Sequence, residues 1–254
     1  MNSANAQIVN EAVRLLENKI HRDFMELENL QSSKRSAGFA NSTMEYINEK
    51  LYDFFVEKRP RYSLKIEDYE KDWTGNGECE IYVNGLCGFN NFLHGIPYFA
   101  TVIIVKRNGE IMFGVVNNYA TNEMFFVAPG RGAFLNNKRT RVSSREIEDD
   151  ILVSVKYDYN GELFTKVTSR LRTFKVTNCY VLDFCHTACG KYDASIVFDG
   201  GEEELKLGAL FITEAGGAFR NIEGSKNNVI FSNSLLIDDM KKVIKQNEQQ
   251  NENE

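Results

Sequence analysis

Residues 101–116 read Thr-Val-Ile-Ile-Val-Lys-Arg-Asn-Gly-Glu-Ile-Met-Phe-Gly-Val-Val, and this stretch decides the fold class. An Asn-Gly pair between two runs rich in β-branched residues is a strong β-hairpin signal, because both turn residues need a positive φ. Another strand is predicted at residues 124–127, followed by a glycine-rich turn at 129–132. The middle of the chain is therefore predicted to form an antiparallel sheet.

Helices are predicted before this sheet, and alternating elements after it. Apolar residues recur at helical spacing over residues 5–29, and from Ile47 to Phe55 in a second helix that ends before Pro60. The elements predicted beyond residue 150 are strands at 151–155, 173–176 and 194–198 and helices near 160–170, 181–190 and 202–215. This order predicts an α+β protein.

The same survey predicts the organisation of the chain. We expect an N-terminal α+β region at residues 1–145 and a C-terminal α/β region at 146–244. Residues 245–254 contain no apolar side chain, so a disordered tail is predicted there.

Composition excludes several classes of function. The 254 residues include 30 Lys and Arg against 36 Asp and Glu, and a net charge of −6 argues against general nucleic-acid binding. No apolar run approaches the roughly 18 residues of a membrane span, and the first residues lack the pattern of a signal peptide. Five cysteines without a Cys-x-x-Cys pair argue against a disulfide framework. We expect a cytoplasmic protein that does not associate with membranes.

Several ordered motifs resemble the inositol monophosphatase family. Residues 91–100 read Asn-Phe-Leu-His-Gly-Ile-Pro-Tyr-Phe-Ala, residues 130–137 read Gly-Arg-Gly-Ala-Phe-Leu-Asn-Asn, and residues 213–217 read Thr-Glu-Ala-Gly-Gly. With residues 188–193 and 208–210, the resemblance covers most of residues 8–235. Residues 59–62 and the first helix resemble the bacterial extragenic-suppressor branch.

The resemblance implies a fold and a chemistry. The fold would be a layered α-β-α-β-α sandwich of the inositol monophosphatase and fructose-1,6-bisphosphatase type, usually a homodimer. The activity would be Mg²⁺-dependent hydrolysis of a small phosphate monoester, with carboxylates holding the ions and a Thr orienting the attacking water. Such a site needs oxygen ligands, because Mg²⁺ binds soft or neutral side chains poorly.

Matching the family's site to this chain gives a substituted metal site. The Glu that opens the site matches Glu67 and is retained. The two Asp residues of the family's Asp-Pro-Leu-Asp-Gly-Thr loop match Asn84 and Cys87, and the Thr matches Phe89. The Asp of an upstream Thr-x-x-Asp pattern matches Met44. Three of five site carboxylates are therefore lost.

The remaining family positions are also mixed. The Pro of the loop matches Gly85, and its Gly is retained as Gly88, a predicted substrate-binding residue. The substrate-binding Glu falls on Val197, and a Trp-Asp pair falls on Glu203 and Glu204. Among the metal positions, only Glu67 and Glu204 stay acidic.

These substitutions lead to two hypotheses. The first is a catalytically impaired or inactive family member, with Mg²⁺ weakly bound or absent, that acts by binding or regulation. By analogy with its branch, its partner would be a protein in transcription or ribosome synthesis. The second is an active phosphatase for inositol phosphate or another small sugar phosphate, with Glu67, Asp68 and Glu204 holding one metal.

Other polar residues receive weaker interpretations. Cys87 is interpreted as a replacement residue rather than a nucleophile, because no Arg-bearing phosphate loop follows it. Zn²⁺ bound by Cys87, Glu67 and Glu204 has acceptable ligand types. We expect Cys185 and Cys189 to be buried on a helix, and His94 to be structural or rim-lining.

Overall fold

The computed structural model describes residues 4–31, 35–158, 161–222 and 224–245. The chain divides into two compact units, the first formed by residues 1–129 with 134–137 and the second by 130–133 with 138–254. The domain boundary at residue 145 stays a prediction, because two compact units need not fold independently.

The first unit consists of two long helices and a sheet. Its elements are α1 (Ala4–Leu30), α2 (Ser36–Lys58), β1 (Ser63–Ile66), β2 (Cys79–Cys87), α3 (Phe89–Leu93), β3 (Ala100–Arg107), β4 (Glu110–Asn118) and β5 (Glu123–Ala128). Strands β1 to β5 are neighbours in chain order. The β1–β2 pair is parallel and the following pairs are antiparallel.

Local sequence explains most of these elements. Asn108 and Gly109 both adopt a positive φ in the turn between β3 and β4, which confirms the predicted hairpin. The predicted first helix is confirmed as α1, and α2 ends two residues before Pro60. Buried residues of α1, α2 and alternate positions of the strands form one hydrophobic core, so both helices cover the same face of the sheet.

The second unit is built on a five-stranded mixed sheet. Its elements are β8 (Val153–Lys156), α4 (Glu162–Thr168), β9 (Phe174–Lys175), α5 (Tyr180–Ala188), β10 (Ala194–Val197), α6 (Glu202–Glu214), β11 (Gly217–Asn221), β12 (Val229–Asn233) and α7 (Ile237–Lys245). The strand order is β11-β12-β10-β8-β9. The short strands β6 (Gly132–Leu135) and β7 (Lys138–Arg139) lie where the chain passes between the units.

Helices cover both faces of this second sheet. Ile230 belongs to the cluster that includes Met240 and Ile244 of α7, whereas the ring of Phe231 lies 5.8 Å from that of Phe184 on α5. Successive strand residues point to opposite faces, so α7 and α5 lie on opposite sides of β12. Among the described helices, none is both long and apolar enough to cross a membrane.

The predicted C-terminal tail is only partly covered. Lys245, its first residue, is the last residue of α7. Residues 246–254 lie outside the described residues, so the expectation of disorder there stays a prediction.

Candidate functional site

The end of β2 contains an irregularity at the predicted metal loop. Asn84 pairs with Val102 of β3, whereas Cys87 pairs with Ala100. Two residues of β2 therefore face one residue of β3, Thr101, which defines a β-bulge. Because Val102 and Ala100 are two positions apart on their strand, the bulge places Asn84 and Cys87 on the same face of the sheet.

Glu67 is held near this face by β2. Its backbone N–H donates to the carbonyl of Val83, 2.8 Å away, and the hydroxyl of Tyr82 donates to its Oε2 at 3.1 Å. Tyr82 and Asn84 are two positions apart on β2 and share a face. The structure thus brings Glu67, Asn84 and Cys87 to one face at the end of β2, with Cys87 only 8% exposed.

Met44 and Phe89 have a different environment. Both are partly buried and pack against the hydrophobic core of the first unit. Met44 lies on α2, and Phe89 is the first residue of α3, after Gly88 with a φ of 82°. Neither side chain carries an oxygen that could hold a metal ion or a water molecule, and both contribute apolar contacts.

The turn after β1 carries Glu67 and Asp68 and is closed by Trp73. The backbones of Leu64 and Trp73 exchange two hydrogen bonds, of 2.8 and 3.0 Å, and the indole N–H of Trp73 donates to the carbonyl of Pro60 at 3.0 Å. Asp68 is exposed and adopts a positive φ. Glu67 therefore lies on a short, hydrogen-bonded hairpin-like turn.

The substrate position Val197 lies in the second unit and is packed. Val197 is the last residue of β10 and is 1% exposed. A Cβ built on Gly200 would lie 2.7 Å from Leu205 Cδ2 and 3.0 Å from Val197 Cγ1, so these three residues leave no room between them. Val197, which the resemblance matches to a hydroxyl-binding carboxylate, thus makes apolar contacts.

Glu204 is buried in the first turn of α6. Its side chain is 3% exposed, and one of its carboxylate oxygens lies where a Cβ of Gly201 would stand. The Gly201 N–H donates to the hydroxyl of Tyr180 at 3.0 Å. The ring of Tyr180 lies 5.6 Å from the ammonium of Lys156, which donates to the carbonyls of Phe198 and Asp199. Glu204 is thus in a tightly packed polar region of the second unit.

The donor set at the end of β2 does not fit Mg²⁺. It offers one carboxylate (Glu67), one neutral amide (Asn84) and one thiol (Cys87), whereas Mg²⁺ takes oxygen ligands with charge to offset its dehydration. Within each unit, the part of the chain that the structure describes contains no group of three His, Cys, Asp or Glu side chains able to hold one metal ion.

The residues given weaker interpretations lie in ordinary structural positions. Cys185 is fully buried on α5, as predicted. The prediction is wrong for Cys189, which is only partly buried and follows the last residue of α5 because the helix ends at Ala188. The thiol of Cys189 donates to the carbonyl of His186 at 3.4 Å. The imidazole of His186 packs edge-on against Tyr192. His94 is exposed at the C-terminal end of α3.

Sequence reasoning missed three residues that shape these positions. Tyr82 supports Glu67, Asn48 of α2 packs on the bulge, and Lys156 lies beside the region of Glu204. The run Ile-Tyr-Val at residues 81–83 was a signal for β2 that could have been used. Nothing in the local sequence distinguishes Asn48 from any other polar helix residue.

Comparison with known proteins places these observations in one family. Residues 81–252 match the model of the inositol monophosphatase family. An inositol-1-monophosphatase of Rhizobium meliloti is 30% identical over 231 residues, which are 87% of each chain. A Nus factor SuhB of Pseudomonas aeruginosa is 32% identical over 164 residues, 59% of this chain and 60% of that relative.

Solved structures show the same fold. The extragenic suppressor protein suhB of Bartonella henselae superposes with a TM-score of 0.84 at 24% identity, covering 96% of this chain and 100% of that one. The IMPase of Thermotoga maritima has a TM-score of 0.69 at 26% identity, covering 78% and 79% of the two chains. The α+β fold of the inositol monophosphatase and fructose-1,6-bisphosphatase type is therefore confirmed.

Proposed function

Because this chain belongs to the inositol monophosphatase family, we propose that it is a member whose Mg²⁺-dependent phosphatase site no longer works efficiently and that it acts by binding. The observation that carries the proposal is that apolar side chains, which pack against the core, occupy two positions matched to polar site residues. Met44 and Phe89, which the resemblance matches to a carboxylate and a water-orienting hydroxyl, are partly buried and pack against the hydrophobic core of the first unit.

Electrostatics supports the same proposal. Asn84 and Cys87 lie on one face after the bulge, as two metal ligands would, but neither amide nor neutral thiol carries charge. At an effective dielectric constant near 20, one unit charge against a dication at about 3 Å is worth on the order of 10 kcal/mol before desolvation. Desolvation cancels most of that energy. Even if only a small part of it remains for each carboxylate, the absence of both charges would weaken Mg²⁺ binding by orders of magnitude.

The binding role is proposed by analogy with relatives. One similar protein is called Nus factor SuhB, and we propose that this chain likewise contacts a protein of the transcription or ribosome-synthesis machinery. We also propose a homodimer in the cytoplasm, in line with the family. A net charge of −6 supports a protein partner over direct binding to nucleic acid.

The test is phosphate release from inositol 1-phosphate and from an aryl phosphate, with saturating Mg²⁺, Mn²⁺ or Zn²⁺. We expect background rates with all three metals, while the Rhizobium meliloti relative under the same conditions serves as the positive control. Turnover within tenfold of that relative would overturn the proposal.

The second candidate is an active enzyme with a rebuilt ligand set. It is favoured by one observation, the exposed carboxylates of Glu67 and Asp68 next to each other on the turn after β1. If Asp68 supplies the missing ligand, Asp68→Asn abolishes both turnover and the calorimetric heat of metal binding. The exposed Asp72→Asn serves as a matched control on the same turn. Absence of heat at millimolar Mg²⁺, Mn²⁺ and Zn²⁺ would exclude this candidate.

A further inference from the structure

Asn48 is a buried polar residue with an incomplete set of hydrogen bonds. It lies on α2, one helical turn after Met44, and is 3% exposed. In the described part of the chain, its Oδ1 has no hydrogen-bond partner. Burying an oxygen without a hydrogen bond costs free energy, so a packing contact is needed to explain its position.

That contact is with the backbone of the bulge. A Cβ built on Gly85 would overlap Asn48 Oδ1 and would lie 3.4 Å from its Cγ and 3.0 Å from Ile47 Cγ2. Gly85 is not among the glycines with a positive φ, so its backbone itself would accept another residue. The side chain of Asn48 is the closest obstacle to any larger residue at this position, and Ile47 is the next.

A second side chain also holds the bulge. The hydroxyl of Thr101, the residue opposite the bulge, donates to the carbonyl of Gly85 at 2.7 Å. Gly85 therefore contacts both Thr101 and Asn48. Because Asn84 precedes it and Cys87 follows it by two positions, the directions of both former ligand positions depend on this contact.

We propose that Asn48 and Gly85 form a sterically coupled pair that fixes the backbone of the substituted loop, so that restoring ligands alone does not restore Mg²⁺ binding. This inference rests on the proposed loss of the metal site. The family's Pro matches Gly85, and a proline ring there would collide with Asn48. A proline would fix φ at this position, whereas with glycine the backbone conformation of the bulge depends on contact with Asn48. Carboxylates introduced at positions 84 and 87 would therefore lack a backbone preorganised for metal binding.

The first test is a double-mutant cycle in urea, with a chelator present so that no metal contributes. Gly85→Ala is expected to lower the folding equilibrium constant at least tenfold in the native background and less than threefold in an Asn48→Ala background. Gly38→Ala, on the helix of Asn48, is the matched control, because its added Cβ has no atom within 4 Å apart from its own neighbours and helix backbone. It should have the same effect in both backgrounds. Additive effects of Gly85→Ala and Asn48→Ala, within twofold, would overturn the coupling.

The second test measures Mg²⁺ affinity by calorimetry. One variant carries Asn84→Asp, Cys87→Asp and Phe89→Thr, and a second adds Gly85→Pro with Asn48→Ala. We expect the second variant to bind Mg²⁺ at least tenfold more tightly. Equal affinities would overturn the inference. Turnover by the unmodified protein would instead refute the proposed function and leave the result of the urea cycle unchanged.

Discussion

Two buried polar regions of the molecule differ in how their groups are satisfied. In the second unit, Asp193 is 1% exposed and accepts hydrogen bonds from Ser143 Oγ at 2.6 Å, Arg145 Nη1 at 2.8 Å and the Leu152 N–H at 2.8 Å. In the first unit, Asn48 Oδ1 has no such partner among the described residues. Asp193 ends one motif that resembles the family, at residues 188–193, and Asn48 contacts Gly85 in the loop matched to the family's metal site.

The difference shows which carboxylates this chain can keep. A buried negative charge is tolerated where the protein itself supplies donors and a cation, as it does for Asp193. Carboxylates that depend on a bound metal repel each other when the metal is absent, so neutral or apolar residues at those positions stabilise the fold. Asp193 keeps its carboxylate, whereas three of the five positions that the resemblance matches to the metal site carry Asn84, Cys87 and Met44.

The strongest way to test this comparison is to remove Asp193. Asp193→Ala leaves the hydroxyl of Ser143 and the N–H of Leu152 without their acceptor, and we expect a loss of about 3 kcal/mol in the free energy of unfolding. Urea denaturation measures this change. The exposed Asp72→Ala should stay within about 0.5 kcal/mol of the native protein. A loss below about 1 kcal/mol for Asp193→Ala would contradict the importance of the network.

Returning the family's residue at Phe89 tests the loop. Phe89→Thr removes apolar contacts with the core of the first unit, so we expect a loss of about 1.5 kcal/mol. Asn90→Thr, at the exposed next position, is the control and should change stability by less than about 0.5 kcal/mol. A stabilising effect of Phe89→Thr would mean that this position is still shaped for a hydroxyl.

A third prediction concerns Asp158, which caps α4. Burial opposes ionisation of this carboxyl, but hydrogen bonds from the N–H groups of Phe164 and Leu163 outweigh it and lower its pKa. A pKa below the unfolded value of about 3.9 stabilises the fold at neutral pH, and that contribution is lost as the pH falls through the folded pKa. Asp158→Asn should cost about 1 kcal/mol at pH 7.

The pH dependence provides the control for Asp158. The stability difference between the native protein and Asp158→Asn should shrink as the pH is lowered from 5 toward 2, as measured by urea denaturation at each pH. A difference that stays constant over this range would show that the carboxylate charge contributes nothing at the helix end.

The smallest effect is expected at Tyr82. Its hydroxyl donates to Glu67, whose side chain is exposed, so Tyr82→Phe should lower the free energy of unfolding by only about 0.5 kcal/mol. Glu67→Gln should cost as little, because the amide oxygen still accepts this bond. A loss above about 2 kcal/mol in either variant would contradict this expectation and would show that the Tyr82–Glu67 hydrogen bond makes a large contribution to stability.

The elements set by local sequence were predictable, and those set by distant contacts were not. Helix α1 follows from apolar spacing, and the β3–β4 hairpin follows from Asn108 and Gly109. Strand β2 was missed although residues 81–83 are a β-rich run, because Asn84 and Gly85 follow that run and make it short. The bulge arises from pairing with β3, and the contact of Asn48 with Gly85 arises from the packing of α2 on β2. Neither has a signature within a few residues along the chain.

The same reasoning explains what could be predicted of the site. The amino-acid types at the matched positions are enough to predict which charges are absent, because the charge of a side chain follows from its type. Whether Met44 and Phe89 join the core depends on the neighbours that folding brings to them. Matching residues to the family therefore predicts the loss of metal-binding and water-orienting groups. It does not predict how the substituted side chains pack.

The closure of the β1 turn by Trp73 provides an optical probe. Trp73 is the single tryptophan of the chain, and its indole and backbone hold the turn that carries Glu67. Its fluorescence emission can therefore be excited selectively and reports on this turn alone. A ligand, a metal ion or a partner protein that shifts the turn would change the emission maximum or its quenching by iodide, without any label on the protein.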